Sequence, residues 1–196
     1  MTSLDSRAGR AATRRDELLD ELVGLVLADG FAALTLDELA RRLRCSKSTL
    51  YGIAASKEQL VVAAVKRFFQ RATAAVEERA ARPADHREQI GAYLLAVAEQ
   101  LQPASPHFFT DVAAFAPARE IYERNTRSAA GRVRQLVDAG VAAGTVRPVD
   151  AAFVGAAVAQ VMDGIHRGDI RASTGLDDAA AYRALADLVV AGVAPR

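Results

Sequence analysis

Tryptophan is absent, cysteine occurs once and proline six times in 196 residues. A single cysteine, Cys45, rules out an intramolecular disulfide framework and suits a reducing compartment. Aromatics make up only 6%, a profile that favours helix over sheet. The N-terminal half shows no strict apolar–polar alternation between turn signals, so it contains no strand pattern. Long apolar runs are missing as well. The longest, VDAAFVGAAVAQVMDGI, is broken by Asp150, Gln160 and Asp163 and reads as a buried helix, not a membrane span. The opening residues, MTSLDSRAGRAATRRDELL, lack the apolar core of a signal peptide. A cytoplasmic protein is expected. The signatures of catalysis are also wanting: there is no Gly-rich phosphate loop and no nucleophile elbow. His86, His107 and His166 are scattered, and Cys45 has no partner cysteine for a metal site. No catalytic residue, metal site or cofactor is expected.

What is present favours helices. Hydrophobic residues make up 51% and charged residues 25%, enough to bury a core in one domain or in a small module fused to a larger one. Alanine is abundant, and alanine, leucine, arginine and glutamate lose least on entering a helix. The net charge of +1 is uninformative, but its distribution is uneven. Arg7, Arg10, Arg14 and Arg15 face only Asp5 within the first fifteen residues, and Arg41, Arg42, Arg44 and Lys47 form a second cluster. Taken alone, these charges fit either a nucleic-acid footprint or a solvated face.

The first periodic segment, TRRDELLDELVGLVLADG, places Leu18, Leu22 and Val26 on one face, and Gly30 stands where a left-handed residue would end the helix. Thr35-Leu36-Asp37-Glu38 is a capping-box pattern. It opens a short helix whose inner face is Leu39, Ala40 and Leu43. About three residues later, Ser46 caps a third short helix with Leu50 buried. Ser56-Lys57-Glu58-Gln59 forms a second box and opens a long helix to about Ala80. Two short helices joined by a tight turn, the second beginning with small polar residues, make a helix-turn-helix. The free N–H groups of such an N-terminus, with hydroxyls and a lysine beside them, suit phosphates and base edges. Capping accounts for Ser46 and Ser56, but not for the whole cluster of Lys47, Ser48, Thr49 and Tyr51.

Residues 30–60, GFAALTLDELARRLRCSKSTLYGIAASKEQL, resemble the DNA-binding signature of the TetR family of transcriptional regulators. The resemblance covers the Gly-aromatic pair ending helix one, the Thr cap of helix two, the Ser-rich recognition helix and the Ser-Lys-Glu-x-Leu opening of helix four. It implies an all-α protein of about nine helices, with a DNA-binding domain over 1–56 and a ligand-binding and dimerisation domain over 57–196. Thr35, Ser46, Lys47, Ser48, Thr49 and Tyr51 are then expected to face DNA, and Lys57 to touch a backbone phosphate. There are three departures. Arg44 stands where the family's turn usually has a glycine of positive φ, and it becomes a candidate phosphate contact. Ser48 replaces a frequent glycine. Ile53-Ala54 replace a pair that usually ends in an aromatic, which shifts weight onto the arginine arm.

Beyond the head, periodicity predicts helices over about 85–102, a short one carrying Phe108, Phe109, Val112 and Phe115, then about 118–143, 149–167 and 177–193. A polar loop is expected around Ser173-Thr174-Gly175. Ala151, Gly155 and Ala159 recur every four residues, so another helix can approach closely there. Periodicity leaves open whether that helix belongs to the same chain or to a second copy. The resemblance favours a homodimer formed by the last two helices, through Ala151, Gly155, Val158, Ala159, Met162, Leu185, Leu188 and Val189. It also implies a small-molecule effector in the body. Tyr93, Phe108, Phe109, Phe115, Tyr122 and Met162 are the candidate apolar lining, with His107, Asn125 and His166 as polar groups. The same inventory describes any helical core. The expected partner is double-stranded DNA with a two-fold symmetric operator, and no membrane. The rival readings are an effector-independent DNA binder and an all-helical dimeric interaction protein.

Overall fold

The computed structural model describes the backbone of residues 2–195 and the side chains of residues 13–195; the side chains of Arg7 and Arg10 lie outside the described residues. All regular structure among them is helical, in ten elements: α1 (Thr2–Asp29), α2 (Leu36–Arg42), α3 (Lys47–Tyr51), α4 (Lys57–Ala80), α5 (His86–Leu101), α6 (Pro106–Ala114), α7 (Ala116–Ala143), α8 (Ala151–His166), α9 (Asp169–Thr174) and α10 (Asp178–Gly192). The all-α class therefore holds, with one helix more than the sequence suggests. The addition is α9, which replaces the expected polar loop. Its six residues lie between Gly168 and Gly175, both left-handed at φ 78° and 75°, a conformation glycine adopts without steric cost. Two boundaries also move. Helix α1 extends back to Thr2, and α7 starts at Ala116, taking Pro117 into its first turn, where a missing N–H costs nothing.

Side-chain caps fix most of the starts. Thr35, Ser46, Asp85, Ser105, Asp150 and Asp177 each accept a hydrogen bond from the backbone N–H three residues on, satisfying a donor that the helix itself leaves free. The box at Thr35 is only half made. Glu38 donates its N–H to Thr35 Oγ1 at 3.2 Å, but its carboxylate turns to Arg41 at 2.5 Å. The box at Ser56 slips by one residue: Gln59 N–H donates to Ser56 Oγ at 3.2 Å, while Gln59 Oε1 accepts from Ala55 N–H at 3.1 Å.

Packing groups the chain into two compact units that do not follow chain order. The first contains residues 1–70 and 104–121, and the second residues 71–103 and 122–196. Helices α4 and α7 each contribute to both. The core of the first unit is made by Leu18, Leu22, Val26, Leu39, Leu43, Leu50, Leu60 and Phe108, all nearly or fully buried. Each such side chain contributes about 1.5–3 kcal/mol on burial. The second unit is built around Ile90, Leu94, Val133, Val137, Val158, Met162, Ile165 and Tyr182.

Segment 104–121 is fastened to the first unit at three points. Ser105 N–H donates to Leu27 O at 2.8 Å. The rings of Phe31 and Phe115 meet edge to face at 5.9 Å. Asp111 Oδ2 accepts from the backbone N–H groups of Phe31 at 2.5 Å and Ala32 at 2.8 Å. These two donors sit in the turn after Gly30, whose φ of +75° ends α1. Replacing Asp111 by Ala leaves both donors without this acceptor. Loss of a charged acceptor costs about 1.5–3 kcal/mol, so urea unfolding of Asp111→Ala should show a stability loss of that order. Asp111→Asn, which keeps a carbonyl oxygen, should lose less.

Candidate nucleic-acid interface

The turn between α2 and α3 determines how α3 is presented. Arg44 has φ +50°, the one non-glycine residue with positive φ among those described. Arg44 N–H donates to Arg41 O at 3.3 Å and Cys45 N–H to Ala40 O at 3.0 Å. This is the hydrogen-bond pair of a Schellman ending, with arginine where glycine normally stands. The departure at Arg44 therefore leaves the shape of the turn unchanged and adds left-handed strain of about 1–2 kcal/mol. Cys45 is half-buried, and burial pushes its thiol up from its ordinary value. It is a packing residue, not a reactive thiolate.

Helix α3 buries Leu50 completely and exposes Lys47, Ser48, Thr49 and Tyr51. Its start is a compact hydroxyl cluster. Ser46 Oγ lies 2.7 Å from Ser48 Oγ and 2.8 Å from Thr49 Oγ1, and accepts from Thr49 N–H at 3.1 Å. Lys47 Nζ is paired with Asp37 Oδ1 at 2.6 Å across the turn, and the hydrogen bond to that carboxylate raises the lysine pKa. Both partners are exposed. In sequence Asp37 looks like a first-turn helix acid and nothing more, so its place opposite Lys47 is not evident. Thr35 and Arg44 are exposed on the same segment. Lys57 is half-buried and donates to Ala32 O at 3.0 Å, tying the start of α4 to the turn that Asp111 also holds. The ammonium keeps two further donors.

The arginine arm is divided in its contacts. Arg14 pairs with Glu17 at 3.3 Å and Glu21 at 3.7 Å. Arg15 instead donates from Nη2 to Ile53 O at 3.1 Å, at the far end of α3. Thus the Ile53-Ala54 segment, where the sequence departs most from the family pattern, is held by a guanidinium from α1.

The expected effector residues fall in both units. His107, Phe108, Phe109 and Phe115 belong to the first, where Phe108 is fully buried between Phe68 and Phe109, with ring centroids 6.1 and 5.3 Å away. Tyr93, Tyr122, Asn125, Met162 and His166 belong to the second. There Tyr122 and Tyr182 flank His166, at ring-centroid distances of 4.6 and 5.9 Å. His166 Nδ1 lies 2.6 Å from Met162 O and 3.3 Å from Tyr182 Oη. Burial lowers the His166 pKa, opposed by the Met162 carbonyl and by Asp178 and Asp163. Burial also raises Tyr122 and Tyr182. Asn125 accepts from Thr73 Oγ1 at 3.2 Å. Tyr93 is buried, with its pKa pushed up to about 12 by desolvation.

The expected dimer residues also divide. Ala151, Gly155, Val158, Met162 and Leu185 are buried within the chain. A Cβ on Gly155 would lie 2.9 Å from Ala130 O and 3.2 Å from Arg134 Cβ, so the close approach promised by the small-residue spacing is made to α7. Outward from these lies a groove of about 420 Å³ between α8 and α10, lined by Phe153, Val154, Ala157, Val161, Leu188 and Val189 among others. Phe153 is 72% exposed and Leu188 70%. Ala159 is half-buried. Phe153 was not singled out by sequence, although its place one turn before Ala157 on the polar-poor helix was a usable signal.

A helix-turn-helix with an exposed hydroxyl-rich second helix, set in an otherwise all-helical chain, is the arrangement of a nucleic-acid-binding head. Residues 18–64 match the family model described as bacterial regulatory proteins, tetR family. Solved structures extend the likeness to the whole fold. A transcriptional regulator from Saccharomonospora viridis in complex with choline is similar at TM-score 0.76 and 17% identity, over 94% of this chain and 100% of that one. A TetR/AcrR-family regulator from Thermobifida fusca is similar at 0.68 and 22%, over 92% and 98%. The ketosteroid transcriptional regulator KstR2 of Mycobacterium tuberculosis is similar at 0.61 and 19%, over 93% and 96%. No curated protein matches the sequence. Residues 18–64 are thus similar to the TetR-family head, and the fold is similar to that of solved TetR-family transcriptional regulators. Among the described residues no helix is long and apolar enough to cross a membrane, and no group of three His, Cys, Asp or Glu is placed to hold a metal ion.

Two outcomes test this description. Arg44→Gly removes the left-handed strain at some cost in chain entropy, so thermal unfolding should show a gain of up to about 1 kcal/mol. His166 has a folded pKa below its unfolded one, so the unfolded chain takes up the proton more readily. The stabilisation is present above the unfolded value and is lost as pH falls. The melting temperature should therefore decline below about pH 6.5, and His166→Gln should flatten that decline.

Proposed function

We propose that this regulator is a cytoplasmic homodimeric repressor whose grip on a two-fold symmetric operator is altered by a small-molecule effector. The observation that carries the proposal is the exposed set on α3, with Ser46, Lys47, Ser48, Thr49 and Tyr51 outward over a fully buried Leu50, inside a segment matching the family head. In this reading residues 1–56 hold the DNA and 57–196 serve ligand binding and dimerisation. Lys47 exchanges Asp37 for a phosphate. Thr35 and Arg44 contact the backbone from the α2 side, and Lys57 adds its spare donors.

The second copy occupies the groove between α8 and α10. Phe153 and Leu188 leave more apolar surface in water than single scattered residues do, and such patches mark association sites. The interface set thus becomes Phe153, Ala157, Val161, Leu188 and Val189, over the buried layer of Ala151, Gly155, Val158, Met162 and Leu185. Two half-sites about 34–36 Å apart require two heads. The effector contacts are assigned to Tyr122, Asn125, Met162 and His166 in the second unit, where aromatic faces and a neutral imidazole converge. An effector coupling of about 1–3 kcal/mol would change operator affinity roughly 5- to 150-fold.

Selection from a randomised duplex pool at physiological salt tests the central claim. Enrichment of an inverted repeat is the expected result, and a folded dimer that enriches nothing would overturn it. For the interface, Phe153→Glu should convert the dimer to a monomer in sedimentation equilibrium at micromolar protein. A Phe153→Glu protein that remains fully dimeric would place the interface elsewhere.

A further inference from the structure

We infer that Arg15 forms a second DNA-contact site, a seat for a backbone phosphodiester at the far end of the recognition helix. The inference rests on the DNA-binding reading above. A groove of about 740 Å³ runs between α1 and α3, and its wall includes Arg14, Arg15, Asp16, Thr49, Gly52 and Ile53. Thr49 belongs both to this wall and to the exposed hydroxyl cluster, so the groove opens beside the surface that α3 presents.

The charges in the groove differ in their engagement. Asp16 is directed to Arg67 at 3.5 Å, and Arg67 is also held by Asp20 at 2.9 Å. Arg14 is held by Glu17 and Glu21. Among the described residues no acid pairs with Arg15. It is exposed, and among the described residues its one hydrogen bond goes to the carbonyl of Ile53. A guanidinium has five N–H donors in a planar fork. One is used on Ile53, which fixes the head of the side chain, and the others remain for an acceptor. A phosphodiester oxygen pair is the acceptor that this fork fits. Thr49 Oγ1 and the Gly52 backbone beside it leave room for the neighbouring sugar, because Gly52 carries no side chain. The recognition helix is thus gripped at both ends, by Lys47 near its start and by Arg15 near its finish.

Salt dependence separates a phosphate contact from a purely structural role. Each phosphate neutralised contributes about 0.9 to the slope of log affinity against log salt, whatever the base sequence. The assay therefore uses a mixed-sequence 30-base-pair duplex, titrated by fluorescence anisotropy from low to moderate salt. Arg15→Gln retains an amide donor for Ile53 O without the charge. Its slope should fall by about 0.9 while its melting temperature stays near that of the unaltered protein. Arg15→Lys should keep the slope, and Arg183→Gln, at an exposed arginine of α10 that does not line the groove, should leave it unchanged. A lower melting temperature for Arg15→Gln with an unaltered slope would reduce Arg15 to a structural cap and overturn the inference. Equal slope losses for Arg183→Gln and Arg15→Gln would also overturn it, since general charge and not a defined seat would be responsible. If the unaltered protein binds no duplex even at low salt, the DNA-binding reading itself fails.

Discussion

Asp111 holds together a part of the chain that sequence order keeps apart. Its carboxylate closes on the two N–H groups of Phe31 and Ala32, about eighty positions away, in the turn that sends the chain from α1 into the helix-turn-helix. Those donors belong to a stretch with no helix or strand to satisfy them, and the part-buried Phe31 donor left open costs about 1–3 kcal/mol. The same turn offers its Ala32 carbonyl to Lys57. One short turn is therefore bonded from α6 and from the start of α4 at once. Gly30 makes this possible: a Cβ there would stand 2.5 Å from Asp111 Oδ2, inside any tolerable contact. Because segment 104–121 returns to the first unit in this way, both chain connections at its ends lead to helices of the second unit.

Much of the fold was legible because helices declare themselves locally. The 3.6-residue recurrence of Leu18, Leu22 and Val26, the caps at Thr35 and Ser46, and the glycine at 30 each act over a few residues, and the structure realises all of them. Helix α9 escaped because its six residues have no apolar stripe, and Ser173 and Thr174 look like loop material. Their hydroxyls instead bond back to carbonyls a turn earlier, Ser173 to Asp169 O at 2.9 Å and Thr174 to Ile170 O at 2.6 Å, which keeps a short polar helix self-sufficient. The early start of α1 escaped for a related reason, since residues 2–12 have the composition of a helix without its periodicity.

Site residues were legible to the extent that their roles are local. Exposure of Lys47, Ser48, Thr49 and Tyr51 follows from the burial of Leu50 one step away on a five-residue helix. The partners of those residues did not follow. Asp37 reaches Lys47, and Arg15 reaches Ile53, only because the turn at Arg44 keeps its left-handed shape without glycine. The small-residue stripe on α8 shows the limit most clearly. Spacing identified a face that admits a close neighbour, but not which neighbour, and the inward-facing Gly155 meets α7. The outward face is marked by Phe153 and Leu188, large side chains at positions where a search for small ones does not look.

The Asp37–Lys47 pair has a consequence for the kind of binding this surface supports. Lys47 brings its own counterion with it, covalently tethered through the backbone of α2. A free lysine on a DNA-reading surface holds a loose anion from solution and gives it up on contact, so its contribution varies with the identity of the buffer anion. Here the departing group is a carboxylate that cannot diffuse away. In the proposed complex it would stay within reach as a competitor, to which Lys47 would return as a phosphate leaves. Exchange between two such partners at close range lowers the barrier to letting go. In the proposed complex, such a tethered competitor would favour rapid exchange at the start of α3, with lasting residence left to the contacts around it.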